Sequence, residues 1–125
     1  MAKILIVEDD PYVADAYRDL LCDRDHQVAF AYDGESALPT AQAVRPDLIL
    51  MDSNLPGLDG LGAIARLKSA AETASIPIIA CSGNADDPTL MREFREAGCE
   101  ACVVKSRPAE VLRIVEEVLA RKEEL

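Results

Sequence analysis

Five short apolar runs, Ile4 to Val7, Val28 to Tyr32, Leu48 to Met51, Pro77 to Cys81 and Ala101 to Val104, alternate with stretches whose apolar residues recur at helical spacing. No other feature restricts the fold so much. A run of four or five apolar residues bounded by turn formers reads as a strand buried on both faces. Strand followed by helix, five times over, implies a parallel sheet with helices on both sides and right-handed crossovers. The helical stretches are well punctuated. Asp10 and Pro11 give the first an N-cap and a first-turn proline, with Val13, Ala16, Tyr17, Leu20 and Leu21 expected on one face. The second should follow Asp33 and Gly34, kinked or shortened at Pro39, which lacks a backbone donor. The third carries Leu61, Ile64 and Leu67; the fourth begins near Asp87 and Pro88, carries Leu90, Phe94 and Ala97, and stops at Gly98. The fifth, from about Pro108, sets Val111, Leu112, Val115, Val118 and Leu119 on one stripe with Arg113, Glu116 and Glu117 opposite.

At 125 residues the chain is expected to be one domain, 1–125, with one core and room for one site. Half the residues are hydrophobic but only 4% are aromatic, so that core is aliphatic, as suits helices on a parallel sheet. A formal charge of -10 disfavours direct contact with nucleic acid or anionic lipid and favours cations and basic partner surfaces. The first apolar run is too short for a secretory signal or a membrane span, so a cytoplasmic protein is expected. Cys22, Cys81, Cys99 and Cys102 lack the regular spacing of a secreted scaffold and read as reduced thiols. Cys99 and Cys102 also match C-x-x-C. The motif does not open a helix, as redox motifs do, and zinc would need two further ligands.

A parallel sheet brings the carboxyl ends of all its strands to one edge. Glu8, Asp9 and Asp10 follow the first apolar run, Asp52 the third and Ser82 the fourth, while Lys105 ends the fifth. Unscreened like charges at about 4 Å cost roughly 4 kcal/mol per pair at an effective dielectric of about 20, so something positive must bind there. Oxygen donors without His or Cys favour a hard divalent cation, Mg²⁺ or Mn²⁺. Beside the metal, one carboxylate can attack phosphorus, with Lys105 and Ser82 available to phosphoryl oxygens. Phosphoryl transfer to a carboxylate is the chemistry implied. Taken singly these residues have plainer roles. Asp10 and Asp59 suit helix caps, Glu8 a solvated strand end, Ser82 a turn, and Lys105 a snorkelling surface lysine. Joint arrival on one edge favours the chemical reading.

The motifs Ile-Leu-Ile-Val-Glu8-Asp9-Asp10, Asp52-Ser-Asn-Leu-Pro56-Gly-Leu-Asp59-Gly60, Ser82 after the fourth strand, and Ala-Gly98 followed by Val-Val-Lys105 together span nearly the whole chain. In these the chain resembles the receiver domain of two-component response regulators, which are CheY-like. The resemblance implies a flavodoxin-like (βα)5 doubly wound sheet in the order 2-1-3-4-5, with the crevice at its switch point. It also implies that Asp52 is the phosphoacceptor, Asp9 the main direct Mg²⁺ ligand, Glu8 a ligand through water, and Asn54 a ligand through its backbone carbonyl. Lys105 would pair with the acyl phosphate, Ser82 would swing onto it, and Asn54 and Asn84 would influence its lifetime. Such a protein is no enzyme toward external substrates. Its partners would be a histidine kinase or phosphotransfer protein and a downstream protein, met through the face from helix 4 to helix 5. The chain departs from the family pattern twice. Cys102 stands where an aromatic is common, and Lys105-Ser106 replaces a Lys-Pro pair with a cis bond, so a trans bond is expected at Ser106. Those departures motivate an alternative, a pseudo-receiver whose docking ignores phosphorylation. An aspartyl-phosphate phosphatase ranks below both, because Asn54 stands where such enzymes need a carboxylate general acid.

Overall fold

The computed structural model describes residues 2–55, 57–83, 87–105 and 107–123. Strands β1 (Lys3–Val7), β2 (Gln27–Ala31), β3 (Leu48–Asp52), β4 (Ile78–Ser82) and β5 (Ala101–Val104) alternate with helices α1 (Pro11–Cys22), α2 (Gly34–Val44), α3 (Gly60–Ser69), α4 (Pro88–Ala97) and α5 (Pro108–Glu123). All pairings are parallel, in the order β2-β1-β3-β4-β5. This is the flavodoxin-like arrangement. The order reverses between β1 and β3, which lie side by side with Val7 opposite Met51. A crevice therefore opens at their carboxyl ends.

Burial explains why apolar runs became strands. All five residues of β3 are buried, since helices cover both faces of the central sheet. One core holds Leu5, Ile49, Met51, Ile64, Leu67, Ile78 and Phe94; the other, across the sheet, holds Ile4, Ile6, Leu50, Tyr17, Leu21, Val111 and Val115. Alternate residues of one strand thus face opposite helix layers.

The caps follow the expected chemistry. Asp10, Asp33, Asp59 and Asp87 each accept a backbone N–H at the start of α1, α2, α3 and α4, and Gly98 ends α4 at φ +113°, where a side chain is disfavoured. Other details depart from expectation. Tyr32 lies beyond β2, and β4 is displaced by one residue, so that Asp52 and Ser82 are the last residues of their strands rather than the first of their loops. On α1 the buried positions are Ala14, Tyr17 and Leu21, while Ala16 faces solvent. Helix α2 runs unshortened through Pro39. The ring lies on the exposed side, where water can reach the carbonyl that loses its donor. No helix among the described residues is long and apolar enough to cross a membrane.

Candidate functional site

Asp52 ends a fully buried strand and is itself only 3% exposed. Its Oδ1 lies 3.3 Å from Lys105 Nζ and accepts the backbone N–H of Asn54 at 3.2 Å. Glu8 is buried, contrary to the reading of a solvated strand end, because its backbone N–H continues the β1–β2 ladder to Ala31 O and holds it under the rim. Its Oε2 accepts the backbone N–H of Asp10 at 3.3 Å, and its Oε1 approaches Lys105 Nζ to 2.8 Å. That approach is a charge contact; by geometry Oε1 has no hydrogen bond. Asp9 is exposed, and one oxygen from each of Glu8, Asp9 and Asp52 falls within 4.8 Å of the other two.

Lys105 follows β5 and is anchored by its N–H to Ser82 O at 3.0 Å. Its amine therefore reaches across the carboxyl ends of β4 and β3 toward β1. A cleft of about 500 Å³ opens there, walled by Asp52, Asn54, Ser82, Leu90 and Lys105. Ser82 is buried in that wall, and Asn54 is exposed. Asp10 caps α1 through Tyr12 N at 2.9 Å, and Asp59 caps α3 through Gly62 N at 2.8 Å, so both have the plainer role. Asn84, Pro56 and the peptide bond to Ser106 lie outside the described residues.

The electrostatics follow from this packing. Burial raises the Glu8 carboxyl to about 7; Lys105 opposes the rise and Asp52 adds to it. Burial works against the Lys105 ammonium, but the carboxylates of Glu8 and Asp52 outweigh it and its pKa is raised. One amine thus neutralises part of a surplus of acid. The carboxylate oxygens of Glu8, Asp9 and Asp52, only partly balanced by Lys105, fit a hard divalent cation, which would supply the missing positive charge.

Two glycines let these segments approach. A Cβ at Gly60 would stand 2.6 Å from Asp52 O, and one at Gly34 would collide with Leu58 O, so the starts of α3 and α2 close on the loop after Asp52 only because both positions lack a side chain. Cys81 pairs with Asp52 in the β3–β4 register, and Tyr17, expected on the inner face of α1, is buried beside it. No spacing signal gives that closeness, which comes from strand register and helix rotation.

The profile of the response regulator receiver domain matches residues 4–116. The chain belongs to the response regulator receiver family. As a receiver it is 36% identical over 116 residues to the polar-differentiation response regulator DivK of Brucella anthropi, spanning 93% of this chain and 92% of that one. Chemotaxis protein CheY4 of Vibrio cholerae superposes with a TM-score of 0.88 at 28% identity, over 94% of this chain and 98% of that one. The receiver domain of a sensor histidine kinase of Pseudomonas aeruginosa, solved with a magnesium ion in its active-site cleft, superposes with a TM-score of 0.85 at 32% identity, over 95% and 98%. Receivers are signalling domains of two-component systems that bind Mg²⁺ at an acidic pocket and work with histidine kinases and downstream effectors. The recognition and strand order implied by the motifs therefore hold.

Proposed function

We propose that this receiver, acting as one domain over residues 1–125, accepts a phosphoryl group on Asp52 from the phosphohistidine of a histidine kinase or phosphotransfer protein. One observation carries the reading: a buried carboxylate, at the wall of an open cleft, lies 3.3 Å from an amine that is itself 2.8 Å from a second carboxylate. In the transfer, an Asp52 oxygen forms a bond to phosphorus as the donor's P–N bond breaks, and the phosphohistidine, protonated on its other ring nitrogen, leaves as a neutral imidazole with an acyl phosphate on Asp52. Asp9, Asp52 and the backbone carbonyl of Asn54 would hold Mg²⁺ (or Mn²⁺) directly, and Glu8 through water. When bound, the ion supplies positive charge to the phosphoryl oxygens. Lys105 pairs with one phosphoryl oxygen, and Ser82 donates its hydroxyl to another, drawing β4 toward the site. The acyl phosphate is a reactive mixed anhydride, so the chain also discharges itself by hydrolysis, and Asn54 and, as the family resemblance implies, Asn84 influence the rate. A downstream protein would read the change on the face from α4 to α5.

Incubation with Mg²⁺ and a small phosphodonor should add one phosphoryl group, seen by intact mass, and Asp52→Asn should add none. Equal gain in both, or none in either, removes the proposal. A second reading has its own observation. Cys102 is half-buried on β5, and its small thiol cannot swing between positions as a ring does. A pseudo-receiver of this kind would keep the Mg²⁺ response but bind its partner equally well with or without phosphate on Asp52.

A further inference from the structure

A second, smaller cavity of about 40 Å³ lies between α4 and the start of β5, away from the carboxylate rim. Met91, Phe94 and Arg95 wall it from the helix, and Cys99, Glu100, Ala101 and Cys102 from the strand side. Three of these seven residues carry sulfur. Cys99 is 8% exposed, Cys102 is half-buried and Met91 is part-buried, so the cavity is shielded yet reachable from solvent. Both cysteines are free thiols on the same core face of the sheet. β5 is an edge strand, covered on this side by α4. The C-x-x-C motif thus gains a third soft donor that sequence spacing did not supply.

We propose that Met91, Cys99 and Cys102 form a binding site for a soft monovalent d¹⁰ cation of the Cu(I) class. Thiolate and thioether donors select Cu(I), whereas zinc in a structural site takes four nitrogen or thiolate ligands. The one histidine, His26, precedes β2 at the opposite edge of the sheet, so a fourth ligand of that type is not at hand. On binding, two S–Cu bonds form and two thiol protons leave to solvent, with no change of oxidation state; Met91 adds its neutral sulfur. The dithiolate–Cu(I) unit carries one negative charge. Arg95 in the cavity wall offsets it, as does the Lys68 ammonium acting on Cys99, while the Glu100 carboxylate in the same wall adds to it. Burial raises the Cys99 thiol to about 12; Cys102 and Glu100 add to the rise and Lys68 opposes it.

The test is anaerobic titration of the fully reduced protein with Cu(I), in competition with a chromophoric Cu(I) chelator. One equivalent should be withheld from the chelator, with a thiolate-to-copper absorption band in the near ultraviolet. Cys102→Ser should weaken retention by at least about tenfold, and Met91→Leu, which keeps the packing volume, by several-fold. Cys22→Ser, at an exposed position of α1, should retain copper like the wild type. Far-ultraviolet circular dichroism screens each variant for folding; should Cys99→Ser fail it, the Cys102 and Met91 variants decide. Equal retention by wild type, Cys102→Ser and Met91→Leu, a loss on Cys22→Ser alone, or preference for Zn²⁺ over Cu(I) overturns the proposal.

Discussion

At the scale of single residues, the site is governed by how few positive charges answer its acids. Lys105 serves both Glu8 and Asp52, so Lys105→Met should lower phosphoryl uptake by about 10²-fold, as loss of a preorganised electrostatic contact usually does. The same variant should lose more stability at pH 8 than at pH 5, measured by urea denaturation, because Glu8 can protonate at the lower pH. The wild type without metal carries the same signature. Glu8 titrates near 7 in the fold against an ordinary 4.5, so the folded state holds the proton more tightly than the unfolded chain. Its contribution is fully present below about 4.5 and is lost as pH rises through about 7, on the order of 3 kcal/mol. Stability in chelator should therefore fall across that window in the wild type and stay flatter in Glu8→Gln. Mg²⁺ affinity should rise over the same interval, since the metal needs the ionised carboxylate; an affinity that ignores pH in the wild type would contradict this assignment.

Individual residues also divide by how readable they were. Asp52 and Lys105 were legible because each interrupts an apolar run, and interruption of a buried strand survives in one dimension. The burial of Glu8 was not, since it depends on a ladder bond to Ala31 some two dozen positions away. Nor was the exchange of Ala14 for Ala16 on the inner face of α1: the two point to nearly opposite sides of the helix, and the rotation of α1 against the sheet decides which is covered.

Among elements, the starts of α2 and α3 decide how closely the loop after Asp52 is held. Gly60→Ala would push a methyl into Asp52 O and should cost about 1 to 3 kcal/mol while also weakening Mg²⁺ binding, whereas Gly83→Ala meets open space and should change stability by less than about 0.5 kcal/mol. Chemical denaturation of the pair gives the comparison. Pro39→Ala restores a donor to an interior turn of α2 and should raise stability by about 1 to 2 kcal/mol, the helical gain less the loss of proline's restriction of the unfolded chain. A thermal melt reads it directly. Element types and their order could be read from period and punctuation alone. Strand ends could not be read to the residue, as Tyr32 and Ser82 show, because pairing with a neighbour decides where a strand stops.

For the whole molecule, acid outnumbers base by ten charges, and some of that excess is concentrated at the carboxyl edge of the sheet. Mg²⁺ should stabilise the fold by mass action, by about 2.7 kcal/mol at a hundredfold excess over its dissociation constant, and chelator should reverse the gain. Asp52→Asn removes one of the acids; it should weaken the metal yet raise the stability of the metal-free fold. Calorimetry with and without Mg²⁺ separates the two effects. Fold class was recoverable from the sequence because a parallel sheet needs little more than apolar runs and crossovers. The second cavity was not, since Met91 meets the cysteine pair only through the docking of α4 on an edge strand.

The amine of Lys105 has a consequence beyond charge. By tethering oxygens from β1 and β3 while the receiver waits, it keeps the cage assembled before any guest comes. Little ordering is then left for the moment of capture, so loading with magnesium should be quick, accompanied by only a small change in heat capacity, and should leave the hydrogen-exchange rates of β1 and β3 almost as they were.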